Sequence, residues 1–211
     1  TQIEPAAAYG NRYLDLTRQY ADLWKQGANP CSGGTRFFET GKSICKPMEA
    51  YWRNYGGLQQ FGFPISDAVN ERNPVDGKTY LVQYFERARF ELHPENAGTQ
   101  YEVLLGQLGL QEYSKRYPGG APGQKPNNEA AQFFPETGKW VGGAFRQRWL
   151  ATGGVFVNGY PISDELQERA EDGKMYWVQY FERARFEFHP ENPAPFNVLL
   201  SLLGRTALES R

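Results

Sequence analysis

Val82 to Asn96 reads VQYFERARFELHPEN and Val178 to Asn192 reads VQYFERARFEFHPEN, so fourteen of fifteen positions are identical within one chain. A segment duplicated at this fidelity must serve two places in one fold. The correspondence extends to Thr40-Gly41-Lys42 with Thr137-Gly138-Lys139, Trp52 and Gly56-Gly57 with Trp149 and Gly153-Gly154, and Pro64-Ile65-Ser66-Asp67 with Pro161-Ile162-Ser163-Asp164. The offset is 97 residues, falling to 96 at Asp76-Gly77-Lys78 and Asp172-Gly173-Lys174, and to 95 at Val103-Leu104-Leu105 and Val198-Leu199-Leu200. Slips of one residue belong in loops. Two repeated supersecondary units packed side by side are expected.

Each copy carries its own stop and turn signals. A short helix is predicted around Pro47 to Tyr55 and Val141 to Thr152, ending at the Gly-Gly pair and anchored by Trp52 or Trp149 as core residues. Phe61-Gly62-Phe63-Pro64 and Asn158-Gly159-Tyr160-Pro161 then read as extended turns, because proline restricts the residue before it. Asp76-Gly77 and Asp172-Gly173 are hairpin turns. The strand after each places Tyr80, Val82 and Tyr84, or Tyr176, Val178 and Tyr180, on one face. Leu81, Gln83 and Phe85, or Trp177, Gln179 and Phe181, lie on the other, so both faces are partly buried. A reversal near Glu86-Arg87-Ala88 starts a third strand, Arg89 to His93. The closing apolar segments, Tyr101 to Leu108 and Phe196 to Leu203, read equally as helix or strand.

Outside the copies, Asn11 to Gln26 spaces Tyr13, Leu16, Tyr20, Leu23 and Trp24 as an amphipathic helix ended by Gly27. The fold class is therefore α+β: two tandem repeats, each a short helix plus a small antiparallel meander, behind an N-terminal amphipathic helix. The boundaries are residues 1–35 for the helix and a cysteine loop, 36–110 for repeat 1, and 111–132 for a Pro/Gly-rich connection. Repeat 2 takes 133–204 and a tail takes 205–211. Within the connection, Tyr117 to Asn128 reads as irregular and long enough to let the copies reorient.

Cys31 and Cys45 are the only cysteines and form no C-x-x-C motif. A disulfide closing this loop is favoured over two buried thiols, and it points to an extracellular or cell-surface location. The first residues, TQIEPAAAYG, lack a signal peptide's regions, as in a chain cut from a precursor, and no stretch has the length of a transmembrane segment. A net charge of −1 with interspersed signs argues against nucleic acid. Aromatic content of 15% supplies a core despite low mean hydropathy.

The tryptophan, Gly-Gly, Phe61-Gly62-Phe63-Pro64, Phe85-Glu86-Arg87, Phe90-Glu91 and His93-Pro94 series resembles the LGFP-like repeat of bacterial (Chloroflexi-type) secreted and cell-surface proteins. Gly159-Tyr160-Pro161, Phe181-Glu182-Arg183 and Phe186-Glu187 carry the same resemblance, which spans about 150 of the 211 residues. It implies association with cell-wall polysaccharide. The chain departs from the family at Ala88 and Ala184, where the family has glycine, and at Glu91 and Glu187, where it has an aromatic.

The polar residues of the repeated block are the candidate binding residues: Tyr84, Glu86, Arg87, Arg89, Glu91, His93 and Glu95, with Trp177, Tyr180, Glu182, Arg183, Arg185, Glu187, His189 and Glu191. Guanidinium and carboxylate groups recognise paired hydroxyls, and Tyr84 or Trp177 offers a stacking face. The competing reading is a cross-strand ion-pair network that holds the hairpin. Trp140, Trp177 and Tyr160 are the expected exposed aromatics of the second copy. His93 with Glu95 and His189 with Glu191 suggest an acid/base pair, but no nucleophile motif, metal-ligand set or cofactor signature accompanies them. A non-catalytic protein binding a cell-envelope glycan is expected. The alternatives are a structural subunit whose partner is itself, as a homo-oligomer, filament, tube or layer, and an envelope-polymer hydrolase.

Overall fold

A computed structural model describes residues 31–73, 76–170 and 172–211. The helix predicted over Asn11 to Gln26 lies outside the described residues. The chain is α+β with antiparallel sheets and divides into two units that meet at the Gly106–Gln107 bond.

In the first unit the Cys31–Cys45 disulfide closes a loop whose ends pair at Arg36 and Ser43. Helix α1, Lys46–Asn54, follows with Pro47 in its first turn, where the missing N–H costs nothing. Met48, Tyr51 and Trp52 face inward. Gly56 then takes φ 110° and Gly57 φ 51°, conformations open to glycine, and the chain turns directly into α2, Gly57–Phe61. Two helices thus stand where one helix and an extended turn were expected. Gly62 ends α2 at φ 78°, ψ −169°, a region essentially reserved for glycine.

Strands β1 (Val69–Arg72), β2 (Thr79–Tyr84), β3 (Arg89–Leu92) and β4 (Val103–Leu105) form an antiparallel sheet in sequence order. The first reversal carries Gly77 at φ 73°, and Asp76 Oδ1 accepts the Lys78 N–H at 3.0 Å, closing an Asx turn. Phe90 sits in the middle of the core, edge-on to Phe61 at 4.9 Å and to Tyr51 at 5.2 Å, and 4.3 Å from Phe85. Buried Gln83 holds the loops over the sheet: its Nε2 donates to the Ser43 and Ser66 carbonyls, and its Oε1 accepts the Cys45 N–H. The ambiguous closing segment resolves as strand over three residues and becomes helical only at Leu108.

The second unit opens with α3, Leu108–Arg116, so the residues expected to begin a connection at 111 are helical. Residues 117–128 are irregular but tied down. Ala121 is buried, Tyr113 Oη accepts its N–H at 2.9 Å, and Lys125 pairs through its N–H with the Glu165 carbonyl at 2.7 Å. A small ladder, β5 (Gln132–Phe134) and β6 (Lys139–Val141), precedes α4, Gly143–Ala151, and α5, Gly154–Asn158. Val141 completes the ladder, which delays the helix predicted to begin there.

Strands β7 (Leu166–Arg169), β8 (Met175–Tyr180), β9 (Arg185–Phe188) and β10 (Val198–Leu200) make the second sheet, in the order β10-β9-β8-β7. The β8–β9 register, from Trp177↔Phe188 to Tyr180↔Arg185, is that of Leu81↔Leu92 to Tyr84↔Arg89 in β2–β3. The last residues form α6, Leu203–Glu209, where a tail was expected from 205.

Both faces of this sheet are covered. On one, Phe181, Phe186 and Val198 pack with Phe134, Val141, Phe145 and Trp149. On the other, Leu166, Val178 and Tyr180 pack with Ala121, Tyr113 and Tyr117. Together the eight buried residues of the first cluster and the four of the second make a two-sided core, the main source of the unit's stability.

Candidate functional site

The four residues Glu86, Arg87, Glu182 and Arg183 occupy the β-turns of the repeated block and reach back to the short helices. Glu86 accepts the Phe63 N–H at 3.2 Å, and Arg87 donates to the Leu58 carbonyl at 3.4 Å. Glu182 and Arg183 make the same pair of bonds to Tyr160 and Val155, at 3.0 and 2.9 Å. These side chains tie each β-turn to the end of its short helix, Arg87 and Arg183 adding a second bond to carbonyls that already accept the Gly62 and Gly159 N–H groups.

The other charged residues alternate along β3 and β9. Phe90 and Phe186 point into the aromatic core, so Arg89 and Glu91, or Arg185 and Glu187, point to the opposite face. There Arg89 bonds Glu91 and stands 3.7 Å from Glu71, while Tyr84 Oη donates to Glu71 at 3.1 Å. His93 lies between Glu91 and Glu95, its Nδ1 3.0 Å from Glu95, with its ring 4.0 Å from that of Tyr80. Burial lowers the His93 pKa, but the two carboxylates outweigh it and the net shift is upward.

In the second unit the network centres on Glu168. Its oxygens accept from Arg116 at 2.6 Å, Arg185 at 2.8 Å, Tyr117 at 2.9 Å and Tyr180 at 2.8 Å. Burial works against the Glu168 carboxylate, yet the Arg185 charge and these bonds hold its pKa below the ordinary value. Arg185 also donates to Glu187 at 2.9 Å and Ser201 at 2.6 Å. His189 places Nε2 2.6 Å from Glu187 and Nδ1 3.0 Å from Glu191. The cross-strand network weighed in the sequence is therefore present in the geometry.

Tyr84 and Tyr180 offer no face to solvent, being 3% and 0% exposed. Burial raises the Tyr180 phenol well above its usual pKa, and the ring is packed by Tyr113 at 5.1 Å. Trp177 is half-buried on the face away from the charged row, with Lys125 Nζ 5.9 Å from its ring. Trp140 and Tyr160 are likewise half-buried rather than exposed. Trp52 and Trp149 are core residues, as predicted.

Three of the predicted residues do meet at an open site. Arg185, Glu187 and His189 line a cleft of about 520 Å3. This volume falls in the range of small-ligand sites. Arg116 and Glu112 enter from α3, Arg169 from the end of β7, Asp172 from the β7–β8 turn, Ser201 and Leu202 from just past β10, and Thr206 from α6. Tyr176 forms part of the wall, its ring 4.2 Å from His189 and its hydroxyl donating to Asp172 at 2.8 Å. That bond, with burial, pushes the Tyr176 phenol up to about 12. Leu199 and Leu202, 42% and 41% exposed, give the cleft an apolar border.

Glu168, Arg169, Asp172 and Ser201 were not among the predicted residues. Glu71-Arg72 repeats as Glu168-Arg169 at the 97-residue offset, a signal available in the sequence. Among the described residues no three His, Cys, Asp or Glu side chains gather as a metal site. None of the helices described is long and apolar enough to cross a membrane. No family model, curated protein or solved structure matches the chain.

Proposed function

We propose that this chain is a secreted or cell-surface binding protein, built of two tandem LGFP-like modules, that takes cell-envelope polysaccharide without cleaving it. The observation that carries this reading is the second-unit cleft, where charged side chains held in fixed positions by one another stand beside exposed leucines. A sugar presents that combination: hydroxyl pairs around its rim and C–H groups on its faces. Guanidinium and carboxylate groups held by mutual ion pairs lose little conformational entropy on binding hydroxyls. The disulfide fits an oxidising compartment.

Binding is favoured over catalysis because both ring nitrogens of His189 face carboxylates of its own strand segment, Glu187 at 2.6 Å and Glu191 at 3.0 Å, so neither is aimed at a substrate proton. The test is retention of the purified chain on insoluble envelope polysaccharide, compared with Thr206→Trp, which fills the cleft from an exposed position on α6 with a bulky side chain that adds no charge to the ion-pair network. Retention should fall at least about tenfold. Equal retention would remove the cleft from this role.

Self-assembly is the second reading, and the exposure of Phe38 at 92% and Phe196 at 56% is what favours it. Electron microscopy of concentrated protein separates the two. Regular tubes, filaments or sheets would make the chain a structural subunit, and isolated particles would return the argument to binding.

A further inference from the structure

Between the two copies the β3 and β9 rows are identical at Arg89/Arg185, Glu91/Glu187 and His93/His189, yet their surroundings differ at one decisive place. Asn73 closes the β1–β2 turn, and Ala170 holds the corresponding position after β7. Each closes its turn with the same kind of backbone bond, although the second turn is one residue shorter: the Asn73 N–H pairs with the Lys78 carbonyl at 2.7 Å, and that of Ala170 with the Lys174 carbonyl at 2.9 Å. The side chains do different things. Asn73 Nδ2 donates to Glu91 Oε2 at 3.1 Å, and His93 stands back at 3.7 Å from that same oxygen. Ala170 has a methyl there, His189 closes to 2.6 Å on Glu187, and Ala170 itself lines the cleft. The Glu187 side chain is 17% exposed against 6% for Glu91.

A second difference supports the first. Gly106 follows β4, and a Cβ there would meet Arg89 Nε at 3.1 Å and Glu91 Oε1 at 3.2 Å. Ser201 follows β10 instead, and its hydroxyl accepts from Arg185 at 2.6 Å. Arg185 is thus held by the cleft's own wall, with its guanidinium divided among Glu168, Glu187 and Ser201.

The cleft's lining also balances its charges. Arg116, Arg169 and Arg185 stand against Glu112, Asp172 and Glu187. A site of near-zero sum with both donors and acceptors neither concentrates an anionic polymer nor repels an uncharged one. We infer that the second copy's cleft takes a unit of a neutral saccharide, and that Ala170, in place of the asparagine of the first copy, is the residue that opens its carboxylate to the ligand. This rests on the reading of the cleft as a polysaccharide site.

The experiment is titration calorimetry of the full chain with three neutral tetrasaccharides, cellotetraose, maltotetraose and tetra-N-acetylchitotetraose, and with an acidic tetragalacturonate. Wild type should bind a neutral tetramer with an affinity that changes little between low and about 0.5 M salt. Ala170→Asn should weaken it about tenfold, by giving Glu187 the amide partner that Glu91 already has. Asn73→Ala should leave it unchanged. Ala170→Gln serves as a second closing variant, and near-UV circular dichroism reports whether each variant is folded.

Binding of wild type with equal binding by both folded Ala170 variants would overturn the role of Ala170 while leaving the polysaccharide reading intact. A preference for the acidic tetramer that salt abolishes would overturn the neutral class. Binding to no saccharide would sink the reading of the cleft and this inference together.

Discussion

The indole nitrogen of Trp149 donates to the carbonyl of Gly159 at 3.1 Å, joining the buried face of α4 to the residue that ends α5. Trp52 and Gly62 make the same bond at 3.0 Å in the first unit. Gly159 holds φ 82°, ψ −180°, and a Cβ there would lie 2.6 Å from Glu182 Cβ. Gly159→Ala therefore meets backbone strain and a clash at once, and the strain alone should cost about 1–3 kcal/mol. Urea unfolding followed by tryptophan fluorescence measures it, and an unchanged midpoint would disprove the constraint.

The disulfide closes a loop of sequence separation 14 ahead of α1. Replacing both cysteines by alanine should lower stability by about 3 kcal/mol on the chain-entropy account. The backbone at position 45 would stay in place in the variant, since its N–H is held by Gln83 Oε1 at 2.8 Å. Denaturant unfolding of the oxidised, reduced and double-alanine proteins tests this, and three coincident curves would refute it.

Glu102 is 3% exposed, and burial raises its carboxyl pKa, against a single bond from the Gly98 N–H. Asn197 stands in the corresponding place, the His93 and His189 N–H groups donating to the Glu102 and Asn197 carbonyls at 2.7 and 2.8 Å. In the unfolded chain this acid ionises first, so the folded state loses stability as pH rises from the ordinary carboxylate range through the folded pKa. Glu102→Gln should raise the melting temperature at neutral pH and leave it unchanged at about pH 3. A lower neutral-pH melting temperature in the variant would contradict the assignment.

Glu168 has the opposite sign. Its pKa is lowered, so its contribution is present above the ordinary carboxylate value and lost as pH falls through the folded pKa. Glu168→Gln leaves Arg185 short of a buried counter-charge and should cost about 3–5 kcal/mol near neutrality. Melting curves across pH should show that difference shrinking on the acid side. A penalty independent of pH would mean that the carboxylate's charge is not what matters.

Much of the local structure was legible in the residues. Asp76-Gly77 and Asp172-Gly173 turn as their chemistry requires, the Gly-Gly pairs end α1 and α4, and the tryptophans are core. The single helix in each copy became two, because a glycine pair that stops one helix can also start another when the next apolar residues, such as Phe61, find a core. The charged block was harder to read. Arg-x-Glu-x-His alternation describes a face without saying what lies over it, and Tyr113, Arg116 and Tyr117 arrive over Tyr180 and Glu168 from a segment that looked like a linker. The cleft was illegible for the same reason: its walls come from α3, the β7–β8 turn, β10 and α6, and the residue that opens it is an alanine, which carries no chemical signal.

The shared register of β2–β3 and β8–β9 makes the two hairpins interchangeable parts. Each hairpin presents the same phenylalanines to a helix pair ended by the same tryptophan-to-glycine bond, so side-chain fit discriminates weakly between a hairpin's own helices and those of the other copy. Tethering does the sorting, since the few residues between α2 and β1, or α5 and β7, keep the correct hairpin at high local concentration. Synthesis from the N-terminus finishes one copy before its rival exists. Refolding from denaturant offers no such order, and by mass action any exchange of hairpins between chains would grow with protein concentration, which makes each half's twin a competitor for its own hairpin.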